Sequence, residues 1–152
     1  MDLCYFEDVE PGYQAYGRSY RVSAEEIVEF ASKWDPMPYH INELDAQESD
    51  FAGIVASSAH IYALFVRLMH KQERHMAVIA ALSVNDMSFL RPVRPGDELF
   101  LSGVCLSARE SESKSDRGIC EFQWKLLNHR DEVVLSLKQT LMLAKRRVVY
   151  KA

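Results

Sequence analysis

The segment Trp34-Asp35-Pro36-Met37-Pro38-Tyr39-His40 sets a carboxylate and an imidazole five residues apart, with two prolines between them. Histidine titrates near neutral pH, and a carboxylate can orient it or accept a proton from water, so the pair suits proton transfer. Proline fixes φ. A loop braced by Pro36 and Pro38 therefore loses less entropy on ordering and can hold both side chains in a defined relation. Spacing alone leaves a plainer reading open, in which Asp35 merely ends a helix and His40 is a surface residue.

Other reactive side chains are less promising. Ala56-Ser57-Ser58-Ala59 is no GxSxG elbow, so helix capping or close packing is the simpler use of the two serines. His60 lies within an apolar stretch and reads as a core histidine with a satisfied hydrogen bond. His70 and His75 frame a charged segment and should be solvated, and His129 falls in a hairpin turn. No two histidines have metal-ligand spacing beside a carboxylate, so no metal is expected. Asp86, inside an apolar strand, is a buried-acid candidate unconnected to the Asp35 loop. Cys4, Cys105 and Cys120 form neither a disulfide framework nor a CxxC pair, which fits a reducing compartment.

The elements that must position these groups divide the chain in two. After a turn at Pro11-Gly12, Tyr16–Val22 reads as a short strand. Ser23-Ala24-Glu25-Glu26 has capping-box spacing, and Ile27, Phe30, Ala31 and Trp34 follow at helical intervals that should face the core. Pro36 and Pro38 end this helix near Asp35. Asn42–Asp50 is a polar connector with room for one helical turn. Ile54 to about His70 then reads as a helix apolar or small nearly all round, which must be enclosed by protein. Four strands follow: Val78–Phe89, Asp97–Ala108, Ile119–Leu127 and Val133–Ala144. Hairpin-like connections argue for an antiparallel sheet. The expected fold class is α+β, an antiparallel sheet curled around a long central helix.

Composition sets the bounds. The 152 residues are 48% hydrophobic and 26% charged, those of one globular domain rather than a disordered or collagen-like chain. Lys plus Arg number 18 against 22 Asp plus Glu, a formal charge of −4, which disfavours nonspecific nucleic-acid binding. The longest apolar stretch, Phe51–Val66, is shorter than the roughly 18 residues of a membrane span. The opening residues are too polar for a signal peptide, so a cytoplasmic protein is expected.

Three motifs then carry a resemblance: the Asp35–His40 loop, Phe51-Ala52-Gly53-Ile54-Val55-Ala56-Ser57-Ser58-Ala59-His60, and Phe89-Leu90-Arg91-Pro92-Val93-Arg94-Pro95-Gly96-Asp97. Together they resemble the MaoC-like hydratases, the hot-dog-fold family that includes (R)-specific enoyl-CoA hydratases, over roughly Phe6–Ala144. The family's loop is Asp-x-Asn-Pro-x-His, so Asp35 and His40 match its catalytic residues and Pro38 its proline. Met37 stands where the family has Asn, and Ser58 where it often has Gly.

The resemblance implies hydration or dehydration of an acyl thioester, with coenzyme A the first carrier to consider. Asp35 and His40 would move the proton. The amides around Ser57, Ser58 and Ala59 would hold the carbonyl oxygen, and Tyr39 would pack beside the loop or line the pocket. No cofactor is implied. A homodimer or dimer-based oligomer is, with neither nucleic acid nor membrane as partner. Arg91, Arg94 and Lys145-Arg146-Arg147 read as solvated charge, the alternative being contact with coenzyme A phosphates. Two other functions stay open: a hot-dog acyl-CoA thioesterase, and a noncatalytic acyl-thioester-binding protein.

Overall fold

In the computed structural model, which describes residues 2–147, the capping box at Ser23 forms as its spacing predicts. Ser23 Oγ accepts from the Glu26 N–H at 3.2 Å, and Glu26 Oε1 accepts from the Ser23 N–H at 3.3 Å. In chain order the elements are β1 (Leu3–Cys4), β2 (Gln14–Tyr16), β3 (Tyr20–Arg21), α1 (Ala24–Trp34), α2 (Pro38–Ile41), α3 (Glu43–Glu48) and α4 (Ser58–Met69). They continue with β4 (His75–Met76), β5 (Val78–Phe89), β6 (Glu98–Glu110), β7 (Arg117–Leu127) and β8 (Val133–Ala144).

The main sheet has the order β2-β6-β7-β8-β5, every pair antiparallel, with β3 also on β6. Leucines alternating with polar residues along β8 turn Leu135, Leu137, Leu141 and Leu143 inward, where they are buried with Phe122, Trp124 and Leu126 of β7. Ile61, Leu64, Phe65 and Leu68 of α4 join the same core. The α+β, hot-dog arrangement of a sheet around one apolar helix is thus realised. β1 and β4 form a separate parallel pair.

Several details differ from the sequence-based reading. The expected strand Tyr16–Val22 is split into β2 and β3, because the chain leaves the sheet between them. Gly17 passes close over Leu101, where a built Cβ would lie 3.1 Å from that side chain. The connector Asn42–Asp50 contains α3, and Pro38 opens α2 at its first turn, where a missing N–H costs nothing. The central helix begins at Ser58, four residues after Ile54. Residues 54–57 are buried but extended, held by Ala56 N–H donating to Val93 O at 2.8 Å. Trp34 is not a core residue: it stands 66% exposed at the end of α1, with Lys33 Nζ 4.9 Å above its ring. β6 and β7 run further into their connection than predicted.

β5 is also not the hairpin neighbour of β6. The Leu90–Asp97 connection crosses in front of α4, and β5 pairs with β8 at the far end of the sheet. Asp86 sits in an irregular stretch of β5 with φ +52° and its side chain in solvent, so it is no buried acid.

Candidate active site

Asp35 is the C-cap of α1 through its backbone, its N–H donating to Ala31 O at 2.8 Å, which leaves the carboxylate unused by the cap. Two prolines later the chain enters α2, whose single turn carries Tyr39 and His40. This returns His40 toward Asp35: His40 Nε2 lies 3.6 Å from Asp35 Oδ2. The imidazole is buried while the carboxylate remains 40% exposed.

The far side of the ring fixes its tautomer. His40 Nδ1 lies 2.6 Å from Val55 O; a carbonyl can only accept, so Nδ1 carries the hydrogen. In the neutral ring Nε2 then presents a lone pair toward Asp35. At 3.6 Å the two atoms are too far apart for a direct hydrogen bond. A water about 2.8 Å from each would subtend an angle of about 80° between them and could donate one hydrogen to each. Such an arrangement can hold a water and accept a proton from it.

The other half of the site is the start of α4. Ser57, fully buried, is the N-cap, and its Oγ accepts from the His60 N–H at 3.2 Å. With that amide occupied, the Ser58 and Ala59 N–H groups have no acceptor among the described residues. They point out of the positive end of the helix and suit a developing oxyanion. Both halves meet at one cavity of ≈ 310 Å³ whose wall includes Asp35, Tyr39, His40 and Ser58. Val55, Ile61 and Phe89 give it an apolar side.

Of the residues singled out by sequence, Asp35, His40, Tyr39 and Ser58 therefore share one cavity. Ser57, the buried cap of α4, and Ala59, one residue beyond Ser58, do not line it. Arg91 also lines the cavity but is paired with Glu132 at 3.1 Å, and Arg94 donates to Phe51 O at 2.6 Å. Lys145 and Arg146 are paired with Glu110 and Asp8 far along the chain, which leaves Arg147 as exposed charge. His60 is buried as expected but its Nδ1 has no partner; it stacks on Phe30 at 4.6 Å instead. Burial holds its pKa below the usual imidazole value, which favours the neutral ring. His70 is exposed and His129 lies in a turn, as predicted, whereas His75 is half-buried in β4. Cys4, Cys105 and Cys120 are buried free thiols, their pKa raised by that burial.

Met37 occupies the N-cap of α2, where its side chain makes no capping bond. An asparagine there could accept from a first-turn amide. Met37→Asn is expected to raise stability by about 1 kcal/mol, measured by urea unfolding.

Comparison with known proteins adds four likenesses. A model described as the MaoC-like domain matches residues 9–119. The crystal structure of a MaoC-like dehydratase from Rhodospirillum rubrum superimposes with a TM-score of 0.87 at 31% identity, covering 95% of this chain and 99% of that one. An (R)-hydratase from A. caviae involved in PHA biosynthesis superimposes with a TM-score of 0.72 at 22% identity, over 90% of this chain and 98% of that one; this is a likeness of fold. Among curated proteins, the uncharacterized protein YdeM of Bacillus subtilis (strain 168) is 36% identical over 84 residues. That match spans 55% of this chain and 60% of YdeM, less than two thirds of the relative.

Proposed function

The chain belongs to the MaoC-like domain family, and from that premise we propose that it adds water to 2-enoyl thioesters or removes it from 3-hydroxyacyl thioesters. The observation that carries the reading is the buried His40 facing Asp35 across 3.6 Å, in the same cavity as the start of α4. The similar structures, of a MaoC-like dehydratase and an (R)-hydratase, agree with it.

In hydration, the thioester carbonyl oxygen accepts from the Ser58 and Ala59 amides, which draws electron density from C3. Water held between Asp35 and His40 attacks C3 and passes one proton to the Asp35 carboxylate. The π-electron pair moves through C2 to the carbonyl oxygen, giving an enolate stabilised by the two amides. The enolate takes a proton at C2 through the Asp35–His40 pair, restoring both groups. Dehydration is the same path reversed. No electron acceptor or metal enters the balance. Coenzyme A is the first carrier to test, and a cytoplasmic setting suits a substrate of that kind.

The experiment is a panel of enoyl-CoA thioesters followed at once for loss of enoyl absorbance and release of free thiol. Absorbance loss without thiol supports hydration, whereas thiol release identifies a thioesterase. Binding of saturated acyl-CoA with no turnover of enoyl-CoA identifies a noncatalytic binding protein, the reading that the Met37 and Ser58 departures favour.

The working form proposed is a homodimer. β5 ends the sheet with an unpaired edge, yet Val78, Ile79, Leu82, Met87 and Phe89 are exposed along it. An edge so apolar invites pairing, and a second copy of β5 is complementary to it by symmetry. Leu82→Glu is expected to convert a dimer into monomers in sedimentation experiments; a parent that is itself monomeric would refute the arrangement.

A further inference from the structure

β8 sends Leu135, Leu137, Leu141 and Leu143 into the core, but the middle position of that row is Gln139. Its side chain is only 5% exposed, and its Oε1 has no hydrogen-bond partner among the described residues. Buried amides are normally paired, and an unpaired one in an otherwise leucine row needs a reason. Packing supplies none, since a leucine would fill the row without an unpaired polar group.

The surroundings supply one. Gln139 lines a second cavity, of ≈ 300 Å³, whose walls are otherwise largely apolar: Tyr62, Phe65, Val66 and Met69 from α4, with Val78 from β5. This cavity and the Asp35–His40 cavity share no lining residue, but both are walled by α4 and β5, so an acyl chain laid along those two elements would run from one to the other. Ser58 of the first cavity shares a stripe of α4 with Tyr62, Val66 and Met69 of the second, at helical spacing. β5 runs the other way, with Phe89 at the first cavity and Val78 at the second. At 1.5 Å per residue, Ser58 and Val66 are about 12 Å apart along the helix axis. A medium-length acyl chain anchored at the Ser58 amide would reach Gln139; a four-carbon chain would stop short.

We propose that Gln139 is a specificity-determining residue that hydrogen-bonds an oxygen on the distal part of the acyl chain. The preferred substrates are then medium-chain acyl thioesters carrying a hydroxyl or keto group well away from the reacting carbons. The amide offers both a donor and an acceptor, so it can satisfy either group. An unsubstituted chain would leave the amide unpaired within an apolar wall, which is the kind of contrast that gives strong discrimination. This inference rests on the acyl-thioester reading above.

Binding tests it without requiring turnover. Calorimetric titration would compare saturated decanoyl-CoA with decanoyl-CoA bearing a hydroxyl near the chain end, on the parent, Gln139→Leu and Gln139→Met proteins. The parent is expected to bind the hydroxylated ligand at least about tenfold more tightly, and both variants to lose or reverse that ratio. Thermal unfolding confirms that the variants fold, and having two of them covers the failure of one. Val66→Phe, which fills the second cavity from α4, is expected to weaken both decanoyl ligands together. Equal affinities in the parent, an unchanged ratio in both Gln139 variants, or no binding of either ligand would overturn the proposal. Failure of the hydratase reading is separate: it would show as decanoyl-CoA binding with the expected ratio while enoyl-CoA is not turned over.

Discussion

An Asp35→Asn variant is expected to fold as the parent does and to lose hydratase activity by a factor of about 10²–10⁴. The fold should survive because Asp35 caps α1 through its backbone N–H, which asparagine keeps, and because its carboxylate is substantially solvent-exposed. The amide has the same shape but cannot take a proton from water. The loss should fall on kcat, since asparagine leaves the shape of the cavity wall nearly unchanged. His40→Gln offers the informative contrast. His40 also donates from Nδ1 to Val55 O, and residues 54–57 lead directly into the capped start of α4. That variant should therefore lose activity and, in addition, roughly 0.5–1.5 kcal/mol of stability for the missing hydrogen bond. Parent-level turnover by Asp35→Asn would mean that the carboxylate is not the base. A kcat loss in Asp35→Asn matched by an equal fall in melting temperature would assign Asp35 to the scaffold instead.

What sequence could reveal follows from which physical signals are local. β5 and β8 have the limits read from the chain, and in β8 the alternation of apolar with polar residues is a period-two signal that needs no partner to be seen. The capping box at Ser23 is equally local. The start of α4 was misjudged because Ile54-Val55-Ala56 is apolar, and a short apolar run does not distinguish a buried extended segment from a helix. A cue was present: Ser57 is a strong N-cap residue directly before the run that does become helical. Trp34 follows helical spacing, but whether anything covers the last turn of a helix is a tertiary fact. The same holds for β5, whose short proline-bearing connection resembles a turn although it crosses to the other end of the sheet. Asp35 and His40 were legible as types and spacing. Their convergence was not, because it depends on α2 forming from Pro38 and on the distant Val55 carbonyl. Gln139 was passed over among the leucines of β8; a polar residue at a core-facing period-two position was the signal available.

Trp124→Ala is expected to cost about 3–5 kcal/mol, which against a total of about 5–15 kcal/mol for a domain is a severe loss. For a chain of this length that corresponds to a fall in melting temperature of roughly 6–20 °C. The indole is fully buried on the inner face of β7, stacked on Phe122 at 4.9 Å and edge-on to Phe65 of α4 at 6.0 Å. Across the sheet its neighbour is Gly103, and a Cβ built there would lie 2.2 Å from the ring. The ring thus fills space that a side chain on β6 would otherwise take, and alanine would leave a void that the neighbouring strand has no atoms to close. Since Phe65 rests against that ring, the void lies beneath α4, the helix whose first amides are proposed to bind the substrate oxygen. Activity of Trp124→Ala measured well below its melting temperature should therefore also fall. Trp124→Phe should behave differently. The indole Nε1 has no hydrogen-bond partner among the described residues, so phenylalanine removes an unpaired buried donor while keeping most of the ring, and the relief offsets part of the lost volume. Equal destabilisation of the two variants in urea titrations would show that the ring's bulk is not what seats the helix.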